Sequence, residues 1–204
     1  MCKYCSLEHH SDVIVRADIE QGTEEWHKIR SFSCGGTGAY DVIRNGFHPN
    51  NLKESKLGGF CSYAMQRGHD LEPEARHLFA SLKKDEFEVI EVGAIQNIKW
   101  PHCHASPDGV LIKDNKIIGT CEIKCFLEKH HREILKSGIE MGIKAQLLWN
   151  LWLSETEVGY FIAYNPDMED PKDRLYIEKV VMDERYKNKY EQEVRKGLDK
   201  IKNQ

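Results

Sequence analysis

The chain has 204 residues, of which 40 % are hydrophobic and 30 % charged, and its net charge is −4. This length suits one domain with a sizeable core, so we interpret residues 1–204 as a single domain in which 1–20 have uncertain structure. The acidic balance argues against a protein that coats nucleic acid through overall positive charge, but it allows an enzyme whose acidic residues hold cations.

Cysteine use and hydropathy predict the compartment. The seven cysteines are odd in number and scattered, which argues against a disulfide framework and favours a reducing environment. No apolar run approaches the roughly 18 residues of a membrane span, and the first residues lack the hydrophobic core of a secretion signal. We therefore expect a cytoplasmic, soluble protein with no membrane partner.

The first third of the chain has helical signals. A helix is predicted after Thr23, because acids fill the turn that follows this residue. The glycine-rich run 34–38 breaks it and should form a tight loop, after which a second short helix follows. Residues 61–82 repeat apolar positions at helical spacing. Pro73 interrupts that repeat, so the helix either kinks there or begins near Glu72 with the proline in its first turn.

The rest of the chain alternates strands with helices. Strands are expected at 89–92, 105–112, 117–126, 158–164 and 175–182, and helices at 138–154 and after Asp183. The last helix carries an aromatic and aliphatic stripe, which we assign to the core rather than to base stacking. This order predicts an α/β fold around a mixed central sheet flanked by helices.

The hairpin formed by the second and third predicted strands carries a group of charged residues. Glu122 and Lys124 are two residues apart, so they project from one face of a strand. The turn between the strands returns the chain and can place Asp108 beside Glu122. Two adjacent carboxylates repel unless a cation neutralises them, and hard divalent ions prefer such oxygen ligands. The pattern indicates a metal site at which Lys124 could stabilise charge on a phosphate.

A structural explanation of the same residues stays open, because Asp-Gly is an ordinary turn and Glu-x-Lys an ordinary exposed pair. Three other features strengthen the chemical interpretation. Glu72 lies amid apolar helix positions, Thr37 follows glycines whose backbone N–H groups suit an anion, and Gln146 lies among apolar neighbours on a helix.

Together these segments resemble the lambda exonuclease family, a branch of the PD-(D/E)xK nucleases that includes the YqaJ-like viral recombinases. The resemblance runs in order through residues 21–30, 67–79, 106–109, 122–125, 145–146 and 160–166. It implies a restriction-endonuclease-like core and digestion of one strand of duplex DNA from its 5′ end, which leaves a 3′ single strand. It also implies a ring-shaped homotrimer, a single-strand annealing partner for recombination, and a phage or viral source.

The resemblance also implies residue roles. Asp108, Glu122, the carbonyl of Ile123 and Glu72 would hold or position Mg²⁺, with Mn²⁺ as an alternative, and Lys124 would act on the attacking water and the scissile phosphate. Arg30, Thr37, Ser106 and Gln146 would form a pocket for the 5′-phosphate of the DNA end. Lys129, His130, His131 and Arg132 lie in a basic run that could meet the DNA backbone. Thr37 departs from the family, which often has serine in a Thr-Ala-Ser run here.

Other cysteine and histidine groups give weaker signals. Cys2 and Cys5 with His9 could bind zinc, but a single CxxC is a weak motif. Some relatives in the wider superfamily hold an iron–sulfur cluster through four cysteines, and the spacing here predicts none. His102 and His104 alternate along a predicted strand, so we expect them to share one face.

Three functions remain open from the sequence. The first is a Mg²⁺-dependent 5′→3′ exonuclease, the second an endonuclease or repair nuclease of the same superfamily, and the third a DNA-binding or assembly protein without catalysis. A 5′-phosphate pocket would distinguish the first from the second, and intact acidic residues argue against the third.

Overall fold

The computed structural model describes residues 9–48, 52–55 and 62–203, so the Cys2 and Cys5 motif lies outside the described residues. The helices are α1 (Glu24–Arg30), α2 (Ala39–Asn45), α3 (Tyr63–Lys83), α4 (Glu128–Ser137), α5 (Met141–Ser154) and α6 (Glu184–Lys202). The strands are β1 (Val13–Arg16), β2 (Glu88–Ile90), β3 (Ala94–Asn97), β4 (His104–Ala105), β5 (Gly109–Lys113), β6 (Lys116–Lys124), β7 (Val158–Tyr164) and β8 (Leu175–Val181).

A five-stranded sheet with the order β2-β5-β6-β7-β8 forms the centre of the fold. Adjacent strands of this sheet are antiparallel except β6 and β7, which are parallel. Parallel strands need a crossover connection, and the one between β6 and β7 contains α4 and α5. A second sheet has three antiparallel strands in the order β1-β3-β4. The predicted α/β fold with a mixed central sheet is confirmed.

Helix α5 is the centre of the packing. It contacts β6 and β7 of the large sheet, β3 and β4 of the small sheet, and helices α2 and α6. Its residues from Leu147 to Ser154 are all buried, which explains why apolar side chains surround this helix. Helix α3 covers the opposite face of the large sheet, where Ala75 and Phe79 are fully buried against it. The large sheet therefore lies between two helical layers.

The structure departs from the predicted elements at three places. Helix α3 continues through Pro73, so the prediction of a start near Glu72 is wrong; the proline removes one donor from a helix of 21 residues. The predicted strand 105–112 is divided, since β4 pairs with β3 in the small sheet and β5 pairs with β6 in the large one. Strands β1 and β3 and helix α4 were not predicted as elements.

The chain therefore crosses from one sheet to the other at residues 106–108, next to the predicted site. The last helix packs as expected, because Tyr190, Val194 and Leu198 of its apolar stripe are buried in the core. Within the described ranges, no helix has both the length and the hydrophobicity that a membrane crossing requires.

Candidate functional site

Glu122 and Lys124 form a close ion pair on β6. The Nζ atom of Lys124 lies 2.6 Å from Oε1 of Glu122, as expected for residues that share one strand face. Glu122 is fully buried, whereas the side chain of Lys124 is 31 % exposed, so Lys124 is the member of the pair that solvent reaches. On the opposite face, Cys121 and Ile123 pack into the apolar cluster beneath α3.

Asp108 lies beside this pair at the start of the hairpin. Gly109 pairs with Cys121 across the two strands, which brings the preceding residue Asp108 next to Glu122. The Oδ2 atom of Asp108 accepts a hydrogen bond of 2.7 Å from the backbone N–H of Ile123. The structure thus brings Asp108, Glu122 and Lys124 together, as the spacing predicted.

Glu72 reaches the site from α3 through Arg76. The guanidinium group of Arg76 pairs with Glu72 one helical turn away and also with Glu91 at 2.7 Å. Its Nε donates to the backbone carbonyl of Asp108 at 2.7 Å. Sequence reasoning assigned no role to Arg76, although its spacing of four residues from Glu72 is the usual one for a helical ion pair.

Helix α5 supplies two amides to Glu122. The Nε2 of Gln146 donates to Oε1 of Glu122, and the Nδ2 of Asn150 donates to Oε2 at 3.2 Å. Sequence reasoning missed Asn150; its signal was a polar residue four positions after Gln146 on an otherwise apolar helix. Both oxygens of the buried carboxylate therefore accept hydrogen bonds, which offsets the cost of burying its charge.

The carboxyl groups of the site repel one another more than Lys124 and Arg76 compensate. Burial, followed by repulsion from Asp108, raises the pKa of Glu122 to about 8. Burial and the Asp108 charge likewise raise the pKa of Glu72 to about 7. Burial lowers the pKa of Lys124, but Glu122 and Asp108 outweigh it, so the net shift is upward and the amine is protonated. A further cation would therefore stabilise the carboxylates in their charged form.

The donor set of this site fits a hard divalent cation. Asp108, Glu122 and the backbone carbonyl of Ile123 offer oxygen ligands, which Mg²⁺ and Mn²⁺ prefer. No three His, Cys, Asp or Glu side chains form a closed metal cage among the residues that the structure describes. The third expected carboxylate, Glu72, is paired with Arg76 instead, so its role at a metal stays a prediction.

Two of the residues expected to bind a 5′-phosphate, Thr37 and Gln146, lie at the neighbouring turn 35–38. Gly36 packs against Gln146, because a Cβ at position 36 would lie 2.9 Å from its Cγ. Thr37 is exposed in this turn, and the buried hydroxyl of Ser106 has no hydrogen-bond partner among the described residues. Arg30 ends α1, where its guanidinium carbon lies 4.1 Å from the centre of the Trp26 ring.

The basic run at 129–132 belongs to α4 and divides into two groups. Lys129 and Arg132 are exposed, and the partly exposed His130 lies 2.6 Å from Glu140. His131, in contrast, is fully buried and donates from Nε2 to the carbonyl of Asp173 at 2.7 Å. The predicted contact of His131 with DNA is therefore corrected: this ring is a packing residue that anchors α4.

The expected shared face of two other histidines is also wrong. His102 is exposed and adopts a left-handed backbone with φ of 63°, so it does not continue the strand. His104 is buried in β4, where its Nδ1 lies 2.8 Å from the hydroxyl of Ser33.

Solved structures share this architecture. An alkaline exonuclease (LHK-Exo) from Laribacter hongkongensis has a TM-score of 0.75 and 24 % identity over 88 % of this chain and 93 % of that chain. Its complex with dAMP has a TM-score of 0.75, with 23 % identity and the same coverage. A phage-related exonuclease from Haemophilus somnus 129PT has a TM-score of 0.50 and 12 % identity over 83 % and 93 % of the two chains. The likeness confirms the restriction-endonuclease-like fold.

The sequence itself places the chain in a family. No curated protein matches it. Residues 25–157, well over half of the chain, match the model of the YqaJ-like viral recombinase domain. The matched segment includes Glu72, Asp108, Glu122 and Gln146. The predicted family is therefore confirmed, and the chain belongs to the YqaJ-like viral recombinase domain family.

Proposed function

We propose that the protein is a metal-dependent deoxyribonuclease that digests one strand of duplex DNA from its 5′ end. The observation that carries this proposal is the meeting of Asp108, Glu122 and Lys124 where the chain passes between its two sheets. Membership of a viral recombinase family and a fold shared with proteins named exonucleases support it. The product would be a 3′ single strand available for recombination.

At the proposed cleavage centre, oxygen ligands would bind the metal and an amine would act on the water and the phosphate. Asp108, Glu122 and the carbonyl of Ile123 would hold Mg²⁺ or Mn²⁺, with Glu72 positioned behind them. Such an ion lowers the pKa of a bound water and neutralises a phosphate. Lys124, whose side chain is partly exposed beside Glu122, can orient the water and stabilise charge on the phosphate. Gln146 and Asn150 restrain Glu122, so the carboxylate that orients Lys124 is itself fixed.

Recognition of the DNA end would use the adjacent polar groups. Arg30, Thr37, Ser106 and Gln146 would bind the 5′-phosphate, because guanidinium, hydroxyl and amide groups donate well to phosphate oxygens. Gln146 also donates to Glu122, so the pocket and the cleavage centre are next to each other. This adjacency supports the removal of nucleotides from an end rather than cutting at internal positions. Lys129, His130 and Arg132 would contact the backbone farther along.

Other parts of the proposal depend on the family likeness alone. They are a single nuclease domain over 1–204, a homotrimer, a single-strand annealing partner, and action in the cytoplasm of a cell that carries phage or viral DNA.

The decisive experiment compares two linear duplexes that differ only in a 5′-phosphate, each with Mg²⁺ and with a chelator. We expect Mg²⁺-dependent release of nucleotides from the phosphorylated duplex, slower release from the 5′-hydroxyl duplex, and an intact closed circle. Cleavage of the circle would identify an endonuclease instead. Binding without cleavage, unchanged by Asp108→Ala, would identify a DNA-binding protein and reject the proposal.

A further inference from the structure

Two short connections carry the chain between its two sheets. Residues 91–93 lead from β2 of the large sheet to β3 of the small one, and residues 106–108 lead back from β4 to β5. Asp108 lies on the second connection, after the last residue of β4 and before the first residue of β5. Its backbone is therefore outside the strand pairing, and other groups must provide its hydrogen bonds.

The amide group of Gln21 joins these two connections. Its Nε2 donates to the carbonyl of Val92 at 3.0 Å and to the carbonyl of Pro107 at 3.1 Å. A primary amide carries two N–H donors, so both are used. Val92 and Pro107 are buried, whereas Gln21 is half-buried. Because proline has no N–H group, its carbonyl is the backbone group through which a hydrogen bond can hold Pro107.

Arg76 makes the corresponding contacts at the next carbonyl. Its Nε donates to the carbonyl of Asp108 at 2.7 Å, and its Nη1 pairs with Glu91 of the first connection, also at 2.7 Å. Two successive carbonyls, those of Pro107 and Asp108, thus accept hydrogen bonds from side chains outside the hairpin. Together with the bond from Ile123 N–H to the Asp108 carboxylate, these contacts restrict the orientation of Asp108.

The loop that carries Gln21 is itself anchored to the first connection. The N–H of Gly93 donates to the carbonyl of Arg16 at 3.0 Å, and Nε1 of Trp26 donates to the carbonyl of Gly93 at 2.9 Å. A Cβ at position 93 would overlap the carbonyl oxygen of Ile19, so glycine is needed here for close approach of the two backbones. Residues before and after Gln21 therefore contact the same connection and fix the position of its amide.

We propose that Gln21 is a positioning residue of the metal centre, which holds the Pro107–Asp108 peptide so that the Asp108 carboxylate is in place before a divalent cation binds. This inference rests on the proposed function, because Asp108 acts there as a metal ligand. A carboxylate that is held in advance loses less conformational freedom when it binds the ion. Loss of a group that orients a metal ligand typically costs about 10- to 100-fold in metal affinity or activity.

The test measures Mn²⁺ binding by the DNA-free protein, with electron paramagnetic resonance reporting the unbound ion. Gln21→Met keeps the length of the side chain and removes both donors, so the dissociation constant for Mn²⁺ should rise about tenfold. Gln21→His places one N–H donor at a similar distance from Cβ and should recover part of the affinity. On a linear duplex, the Mg²⁺ concentration that gives half-maximal nucleotide release should follow the same order among the variants.

Two control variants separate positioning from a general loss of structure. Thr23→Ala removes the hydroxyl that caps α1, two residues after Gln21, so it should lower the unfolding temperature and leave the Mn²⁺ affinity unchanged. Gln192→Met changes an exposed glutamine on α6 and should alter neither quantity.

Wild-type Mn²⁺ affinity in Gln21→Met, or equal weakening in Gln21→Met and Thr23→Ala, would overturn the inference. If Gln21→Met does not fold, Gln21→Asn, whose amide is one methylene shorter, takes its place, and wild-type affinity in that variant overturns the inference. Asp108→Asn tests the proposed function separately. If Asp108→Asn loses Mn²⁺ binding while Gln21→Met keeps it, only the role of Gln21 fails. If the wild-type protein binds no Mn²⁺, or Asp108→Asn binds it normally, the proposed metal centre fails together with this role.

Discussion

The carboxylate of Asp108 accepts a hydrogen bond from the backbone N–H of Ile123, with 2.7 Å between Oδ2 and N. Asp108 precedes β5, and Ile123 lies in β6 beyond the last backbone pair that these strands form. The Asp108 side chain therefore joins the two strands at a position where they no longer form backbone hydrogen bonds with each other. It holds Asp108 beside Glu122 at the point where the chain leaves the large sheet.

Replacement of Asp108 by asparagine should separate charge from structure. The amide oxygen introduced by Asp108→Asn can still accept the Ile123 N–H, so thermal unfolding should stay close to wild type. Loss of the carboxylate charge should lower Mg²⁺-dependent nucleotide release by about 100-fold or more, since Asp108 is a proposed metal ligand. Release rates on a linear duplex and an unfolding scan measure the two effects. Wild-type rates in this variant would place the cleavage centre elsewhere.

Local signals predicted much of the fold. Helix α1 begins at the predicted place, because the hydroxyl of Thr23 accepts the backbone N–H of Trp26 as a helix cap. The division of β4 from β5 was missed, although Ser106, Pro107, Asp108 and Gly109 are residues that typically interrupt a strand. Only contacts with β3 and β6, which are distant in sequence, decide which sheet each half joins.

In the candidate site too, local spacing was predictable and contacts between distant elements were not. Strand spacing predicted that Glu122 and Lys124 share one face, and the hairpin brought Asp108 beside them. Arg76 and Asn150 reach the site only because α3 and α5 pack on opposite faces of the large sheet. Their spacing of four residues from Glu72 and Gln146 was visible in the sequence, but their contacts with the hairpin depend on the packing of distant elements.

The metal-free protein should lose stability as the pH rises. The pKa of Glu122 is raised from 4.5 to about 8 by burial and by Asp108, so the folded state holds this proton more tightly than the unfolded state does. Stability from this group is full below pH 4.5 and is lost as the pH rises through 8. In a chelator, the unfolding temperature should fall between about pH 5.5 and about pH 8.5, and Glu122→Gln should reduce that fall. Equal slopes for both proteins would contradict the raised pKa.

Substitution of Arg30 should change the choice of DNA end more than the rate of cleavage. Arg30→Ala removes the only cation proposed for the 5′-phosphate pocket, so the preference for phosphorylated over hydroxyl ends should drop about 10- to 100-fold. Arg30→Lys should recover part of it, because an ammonium group keeps the charge but not the planar fork of donors. Arg185→Ala, at a highly exposed position, is the matched control. An unchanged ratio in Arg30→Ala would remove Arg30 from the pocket.

Arg67 joins helix α3 to the ends of two central strands, and its side chain is only 9 % exposed. One nitrogen, Nη1, donates to the carbonyls of Cys125 and Phe126, just after β6. The other, Nη2, donates to Asn165 Oδ1 at 2.8 Å and pairs with Asp167 at 2.7 Å, just after β7. These contacts hold α3, and with it Glu72, against the sheet.

Loss of this guanidinium group should therefore destabilise the fold. Arg67→Met keeps most of the side-chain volume but removes one buried and three partly buried hydrogen bonds, so the free energy of unfolding should fall by about 2–4 kcal/mol. Arg132→Met breaks an exposed pair with Glu128 and should change it by less than about 0.5 kcal/mol. Urea denaturation of both variants gives the comparison. Similar small losses in the two would mean that Arg67 adds no more than a surface ion pair, and that packing alone holds α3 in place.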